Sequence, residues 1–155
     1  IVSTIAGAAL AYVNGMTSPI IEERKIAAVK SSLQEIYPST SDFKEIDFED
    51  ETGLVQNVYE AVGSGYAFTV KVQGYANPIE YLVGVDNDGV VIGFIVTSVA
   101  DTPGLGSKVG DQAYKDTVEG NPISGQFDTI SGATISSSAV TRGLASVSTV
   151  LESLK

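Results

Sequence analysis

One stretch of the 155-residue chain is better supplied for chemistry than the rest: Asp128-Thr129-Ile130-Ser131-Gly132-Ala133-Thr134-Ile135-Ser136-Ser137-Ser138. Small residues and hydroxyls here run straight into an apolar pattern of helical period, so they stand at a helix start. The first N–H groups of a helix have no acceptor within it and lie at the positive end of its dipole, which makes such a place a ready site for a phosphate. A plainer reading is also open, in which Thr134 or Ser136 only caps the helix. A serine nucleophile with a lysine as its base is a third. The other stretch is Asp101-Thr102-Pro103-Gly104-Leu105-Gly106, after an apolar run that ends near Val99. Gly104 and Gly106 let the backbone come close to a ligand and Pro103 stiffens the loop, although a tight turn uses the same residues. A dinucleotide fingerprint requires glycine where Val109 stands, and Gly106-Ser107-Lys108 has the wrong order for a Walker loop.

Missing residue types narrow the chemistry further. The chain has no histidine, cysteine or tryptophan, which excludes Ser-His-Asp and Cys-His catalysis, thiolate or imidazole metal sites, iron–sulfur ligation and disulfides. Carboxylates, hydroxyls, lysine and tyrosine remain, or a borrowed cofactor. With 19 acidic and 9 basic side chains the net charge is −10, and the few cations are scattered, which argues against nucleic acid. A hydrophobic share of 43% suits a single globular domain rather than an acidic disordered tail.

Three groups of elements have to position the two loops. No Asp, Glu, Lys or Arg occurs before Glu22, and Ile1 to Val13 is nearly all apolar or small. As a helix that segment reaches about 20 Å, short of a hydrocarbon core of about 30 Å. It reads as the end of a transmembrane helix, with a signal remnant and a buried helix as alternatives. Ser18-Pro19 followed by Glu22 and Glu23 is a helix start, and Ile26, Val29, Leu33 and Ile36 form an apolar stripe that Pro38 ends. Asp42 to Glu51, with six acids and one lysine, reads as a solvated linker. From Leu54 the period becomes two. A strand near Val55 to Val62 turns through Gly63-Ser64-Gly65 into one with Tyr66, Phe68, Val70 and Val72 on a single face. Tyr81 to Val85 and Val90 to Val99 are joined by the hairpin turn Asp86-Asn87-Asp88-Gly89, which misses a calcium-loop register because Gly84 stands where the first Asp belongs. A short helix near Asp111 to Val118 follows. The last helix, Ile135 to Lys155, carries Val140, Leu144, Val147, Val150, Leu151 and Leu154 on one stripe. The expected fold is α+β, an antiparallel β-sheet packed against helices, with a partial transmembrane helix and an amphipathic linker helix at the N-terminus.

The two loops, in this order and separation, resemble the FMN-binding domain of the G subunit of Rnf-type ferredoxin:NAD oxidoreductase complexes, a domain shared with the C subunit of sodium-pumping NADH:quinone reductases. The family pattern is an acid-Thr-Pro-Gly-Leu-Gly loop, then an Asp shortly before Ser/Thr-Gly-Ala-Thr-x-Ser/Thr at a helix start. Asp101 to Gly106, Asp128 and Ser131 to Ser136 match it. The resemblance implies covalent FMN, joined through its phosphate to the hydroxyl of Thr134 by a flavin transferase that uses FAD and magnesium. Ser131, Gly132, Ala133, Ile135, Ser136 and Ser137 then surround the phosphate, while Thr102, Gly104, Leu105 and Gly106 serve the isoalloxazine. Asp128 belongs to the flavinylation motif. Asp101 departs from the usual Glu and carries its carboxylate on a side chain one methylene shorter. The implied division is a membrane anchor over 1–17, a linker helix and acidic linker over 18–52, and the FMN-binding domain over 53–155. The implied role is an electron relay among other membrane subunits of an ion-translocating complex, with no metal, no catalytic residue and no substrate of its own. The expected location is the cytoplasmic membrane, single-pass, with the soluble domain on the outer face. Two rivals are a stand-alone exported flavoprotein and a non-redox phosphate-binding module.

Overall fold

Alternation of period two makes the sheet, and short turns make it a meander. The computed structural model describes residues 27, 29–99 and 106–155. Within them five strands run β1 (Phe43–Ile46), β2 (Val55–Ala61), β3 (Gly65–Gln73), β4 (Pro78–Asp86) and β5 (Val91–Val99). Each pairs antiparallel with the next, so spatial order is chain order. A 3-10 turn (Gly106–Gly110), helix α1 (Gln112–Val118) and helix α2 (Thr134–Leu154) follow. The expected anchor over 1–17, the helix start at Ser18-Pro19 and the loop residues Asp101 to Leu105 lie outside the described residues. Among the described residues no helix is long and apolar enough to cross a membrane.

The chain divides into two compact units, Ile1–Ser32 and Leu33–Lys155. In the first, residues 27 and 29–32 are helical. The second is wider than the domain expected over 53–155, because it takes in β1 and the end of the linker helix. The acidic run at 42–51 is therefore more than a linker. Phe43–Ile46 is an edge strand, with Lys44 opposite Glu60 and Glu45 opposite Tyr59. Four residues with charges in the middle carry too little apolar alternation to announce a strand, and short, charged strands are what sheet edges favour. Beyond it, the Asp50 carboxylate accepts hydrogen bonds from the Thr52 N–H and hydroxyl and from the Val55 N–H, at 3.0, 2.6 and 2.9 Å, and so shapes the lead into β2. The Thr52 hydroxyl also meets Ser146 Oγ of α2 at 2.9 Å.

Both faces of the sheet are covered. On one, Val70, Val72, Tyr81 and Phe94 pack under Val140, Leu144, Val147 and Val150 of α2, all of them buried. Each large apolar side chain so removed from water is worth about 1.5 to 3 kcal/mol. Tyr81, fully buried, donates its hydroxyl proton to the Val140 carbonyl at 2.9 Å. Gly143 makes room for it: a Cβ there would fall on the Tyr81 hydroxyl and 2.8 and 2.9 Å from methyls of Val70 and Val72. Phe94 packs at a tilt against Tyr81, ring centroids 5.1 Å apart, and meets Tyr114 of α1 edge-on at 5.9 Å. On the other face, Gly84 and Gly93 lie opposite each other on β4 and β5 and leave a gap filled by Ile36, the last helical residue before Pro38. Next to it the Tyr37 hydroxyl lies 2.7 Å from the Val85 carbonyl and 2.8 Å from that of Tyr66, sharing one proton between them. The outer edge of β5 is closed by the segment after α1. Glu119 accepts the Phe94 N–H at 3.0 Å, Gly120 N–H bonds Val91 O at 2.7 Å and Val91 N–H bonds Asn121 O at 2.9 Å.

This packing makes two outcomes measurable. Gly143→Ala adds a residue of higher helix propensity, by about 1 kcal/mol, yet the contact with Tyr81 reverses the sign. We expect a loss of about 1 to 3 kcal/mol in urea unfolding, and a gain would contradict the packing. The second concerns pH. Burial raises Asp50, but hydrogen bonds from the Thr52 hydroxyl and the Val55, Thr52 and Leu54 N–H groups outweigh it and hold the carboxyl below its ordinary value of 3.8. Burial pushes Tyr37, Tyr81 and Tyr114 above the ordinary 10.0, Asp86 adding to the effect on Tyr37. The lowered group stabilises the fold above pH 3.8 and loses that contribution as pH falls through its folded value; the raised groups stabilise it below pH 10.0 and lose theirs as pH rises. With no histidine or cysteine between, urea midpoints should be level from about pH 5 to pH 9 and fall on both sides.

Candidate functional site

The segment that leads to α2 is pinned at Phe127, whose side chain is buried, and surfaces at once, since Asp128 and Thr129 are exposed. Ile130 to Ala133 is a tight turn closed by the Ala133 N–H to the Ile130 carbonyl at 2.9 Å. Its third residue, Gly132, has φ +80, the value a type II turn demands at that place and one that glycine reaches without a Cβ clash. Ala133 then occupies the N-cap of α2 with no side-chain capping bond. The capping reading of Thr134 and Ser136 is thereby settled: they are the first and third helical residues, and neither is the cap.

The first intrahelical bond runs from the Ser137 N–H to the Ala133 carbonyl at 2.9 Å. The N–H groups of Thr134 and Ile135 thus have no acceptor within the helix. No acidic side chain occupies the first turn of α2, so the positive end of the dipole is not neutralised locally. Thr134 is exposed, and Ile135 beside it is 55% exposed, unusual for so apolar a residue. Ser131 and Gly132 are exposed too. The result is an exposed threonine next to helix N-terminal N–H groups and an exposed glycine. Those are the features that an oxygen-linked phosphate requires, and so the residues present fit a phosphate ester.

Ser136 and Ser137, expected around the phosphate, are buried. The Ser137 side chain turns into the protein. The Ser137 hydroxyl accepts the Ile130 N–H at 3.0 Å and donates to the Ala133 carbonyl at 2.9 Å. That tie was not readable from sequence, where three successive serines look alike. Thr102, Gly104 and Leu105 lie outside the described residues. Gly106 opens the 3-10 turn, which packs against both β5 and α2. It is anchored by Val109, fully buried in the core. The chain leaving the first loop is therefore held to the helix that the second loop begins. Among the described residues no group of three or more acidic side chains is gathered to hold a metal ion.

A sheet and α2 joined in this way, with a surface threonine at the helix start, define a domain of FMN-binding type: residues 74–148 match the FMN-binding domain family, a span that includes both loops. The G subunit of the Na(+)-translocating ferredoxin:NAD(+) oxidoreductase complex of Acetobacterium woodii is 31% identical over 93% of this chain and 84% of its own length. The G subunit of the ion-translocating oxidoreductase complex of Methanosarcina acetivorans is 29% identical, over 93% of this chain and 86% of its own. For the G subunit of the proton-translocating ferredoxin:NAD(+) oxidoreductase complex of Clostridium ljungdahlii the figures are 25%, 90% and 80%. The chain belongs to the family of G subunits of ion-translocating oxidoreductase complexes.

The turn before Thr134 yields a third prediction. Gly132→Ala forces a side chain into the left-handed region at a cost of about 1 to 2 kcal/mol, whereas Gly132→Asn, which tolerates that region, costs less. Thermal unfolding of the two variants checks the order, and equal melting temperatures would show that the turn does not hold φ positive.

Proposed function

We propose that this chain is an electron-carrying subunit of a membrane-bound, ion-translocating ferredoxin:NAD oxidoreductase complex and carries FMN covalently on Thr134. The observation that supports it is the exposed Thr134 hydroxyl at the first position of α2, beside N–H groups without acceptors in the helix. The chain supplies no thiol or imidazole, so its redox capacity has to be borrowed, and bound FMN takes up electrons from one redox partner and returns them to another. Thr134 Oγ1 forms the new bond to the phosphorus of FAD, the pyrophosphate P–O bond breaks, AMP leaves and the hydroxyl proton passes to solvent. A flavin transferase using FAD and magnesium performs the exchange. The single negative charge left on the phosphodiester faces the N-terminal end of α2 at Thr134 and Ile135. Ser131, Gly132 and Ala133 leave it space, and Asp128, exposed at the head of the loop, serves recognition by the transferase. In the same reading Thr102, Gly104, Leu105 and Gly106 serve the isoalloxazine. The chain is anchored through 1–17 in the cytoplasmic membrane, passes it once and carries its soluble domain on the outer side. Its partners there are the other membrane subunits of the complex.

Intact-mass measurement on the chain co-expressed with the flavin transferase tests this directly. The expected mass is that of the chain plus FMN less one water, with a yellow band that survives denaturation. Thr134→Ala should carry none, and Thr134→Ser should keep part of it, since serine retains the hydroxyl. An unshifted wild-type mass, with transferase and riboflavin both supplied, would exclude the covalent flavin.

A further inference from the structure

We infer that Ser137 is a positioning residue for flavin attachment, its buried hydroxyl setting the pose in which Thr134 is presented to the transferase. The inference rests on the reading of Thr134 as the FMN acceptor. Ser137 is fully buried, so its hydroxyl reaches neither solvent nor transferase. One proton and two lone pairs allow it to donate once and accept at least once. It donates to the Ala133 carbonyl at 2.9 Å, accepts the Ile130 N–H at 3.0 Å and lies 3.3 Å from the Thr134 carbonyl. Ile130 and Ala133 are the two ends of the turn that carries Gly132, and their own bond, Ala133 N–H to Ile130 O, closes it at 2.9 Å. A single side chain one turn into α2 thus grips both ends of the segment immediately before Thr134.

Hydroxyls that bond back to the carbonyl four residues earlier are common on this helix: Thr141 to Ser137, Ser146 to Arg142 and Thr149 to Ala145. Ser137 differs from these in that it also takes a backbone N–H from the acceptor turn. Without it the Ile130 N–H, half-buried, loses its partner, and the turn is left to one backbone bond and a left-handed glycine. Thr134 places its oxygen by a single χ angle, so the backbone of this turn decides where the oxygen goes. An attacking atom displaced by a fraction of an ångström to one ångström loses one to two orders of magnitude in rate.

Ser146 provides the matched control. It is buried, bonds back to Arg142 and meets Thr52 at 2.9 Å, far along α2 from the acceptor turn. The apo form of the whole chain, incubated with transferase, FAD and magnesium, is followed by intact mass at a temperature below all the melts and normalised to the folded fraction from circular dichroism. Ser137→Ala should lower kcat for FMN transfer on the order of tenfold or more while the KM for the chain stays within about twofold. Ser146→Ala should lose comparable melting temperature and keep the wild-type kcat. A Ser137→Ala kcat equal to wild type, or a fall matched by Ser146→Ala, overturns the positioning role and leaves the reading of Thr134 intact. No FMN on the wild-type chain overturns that reading and this one with it. Should Ser137→Ala not fold, hydrogen exchange on the wild-type apo chain still decides: the Ile130 amide should be protected, and exchange at the rate of an open loop removes the clamp.

Discussion

Everything at the candidate site depends on where α2 lies along the sheet, and one contact sets that. Tyr81 stands in the middle of β4, and its hydroxyl reaches the Val140 carbonyl at 2.9 Å through the gap that Gly143 leaves. Apolar packing alone is tolerant of a slide, because one aliphatic side chain replaces another at little cost. A buried hydroxyl with one acceptor in reach is not, since a slide would leave it without a partner in a dry interior. The helix is thereby fixed in both rotation and translation. Thr134, nine residues before Gly143, is set about 14 Å along the axis from that point, where the helix clears the sheet and its first residues reach the surface.

The opposite face shows the same arrangement with smaller parts. Gly84 and Gly93 are cross-strand partners, so two missing side chains open one gap, and Ile36 fills it. Tyr37 then offers its proton to the carbonyls of Val85 and Tyr66. The bonded tyrosine at position 37 holds the end of the linker helix to the sheet, as Tyr81 holds α2. With β5 closed by Glu119 to Asn121 and β1 short and charged, the sheet presents little unpaired backbone. Its rigidity is passed to the loops at its margins.

How much of this was legible in the sequence depends on how local each signal is. Alternation from Tyr66 to Val72, the Asp86 to Gly89 turn and the stripe from Val140 to Leu154 are repeated patterns, and from them β3, β5 and α2 follow to within a residue, while β4 begins at Pro78, three residues before the expected Tyr81. β1 was hidden because its pairing energy comes from β2, not from its own four residues. The 3-10 turn was hidden for a similar reason, as Val109 is apolar only in the company of a core that the chain reaches later. The start of α2 at Thr134 was legible because a run of small residues and hydroxyls leads there into an apolar stripe. The inward turn of Ser137 was not, since a helical period assigns faces only once the helix start is known to a single residue, and Ala133 as the N-cap fixes that start.

The placement of charge gives the site its remaining logic. A chain of net charge −10 is a poor host for a phosphodiester, yet between Glu119 and Glu152 it carries one acid, Asp128, and one base, Arg142. Within that stretch only Asp128 adds repulsion, and between exposed charges more than a Debye length of about 8 Å apart it is largely screened. What is left near Thr134 is the dipole of a 21-residue helix with no acid in its first turn, an attraction of about 0.3 to 1 kcal/mol for a surface anion. Such an attraction is too weak to retain a free flavin phosphate at working dilution, because about 1.4 kcal/mol is needed for each factor of ten in affinity. In the proposed reading a covalent bond from Thr134 removes that demand. The helix start then has only to orient the phosphate, and a turn held at both ends is what orientation requires.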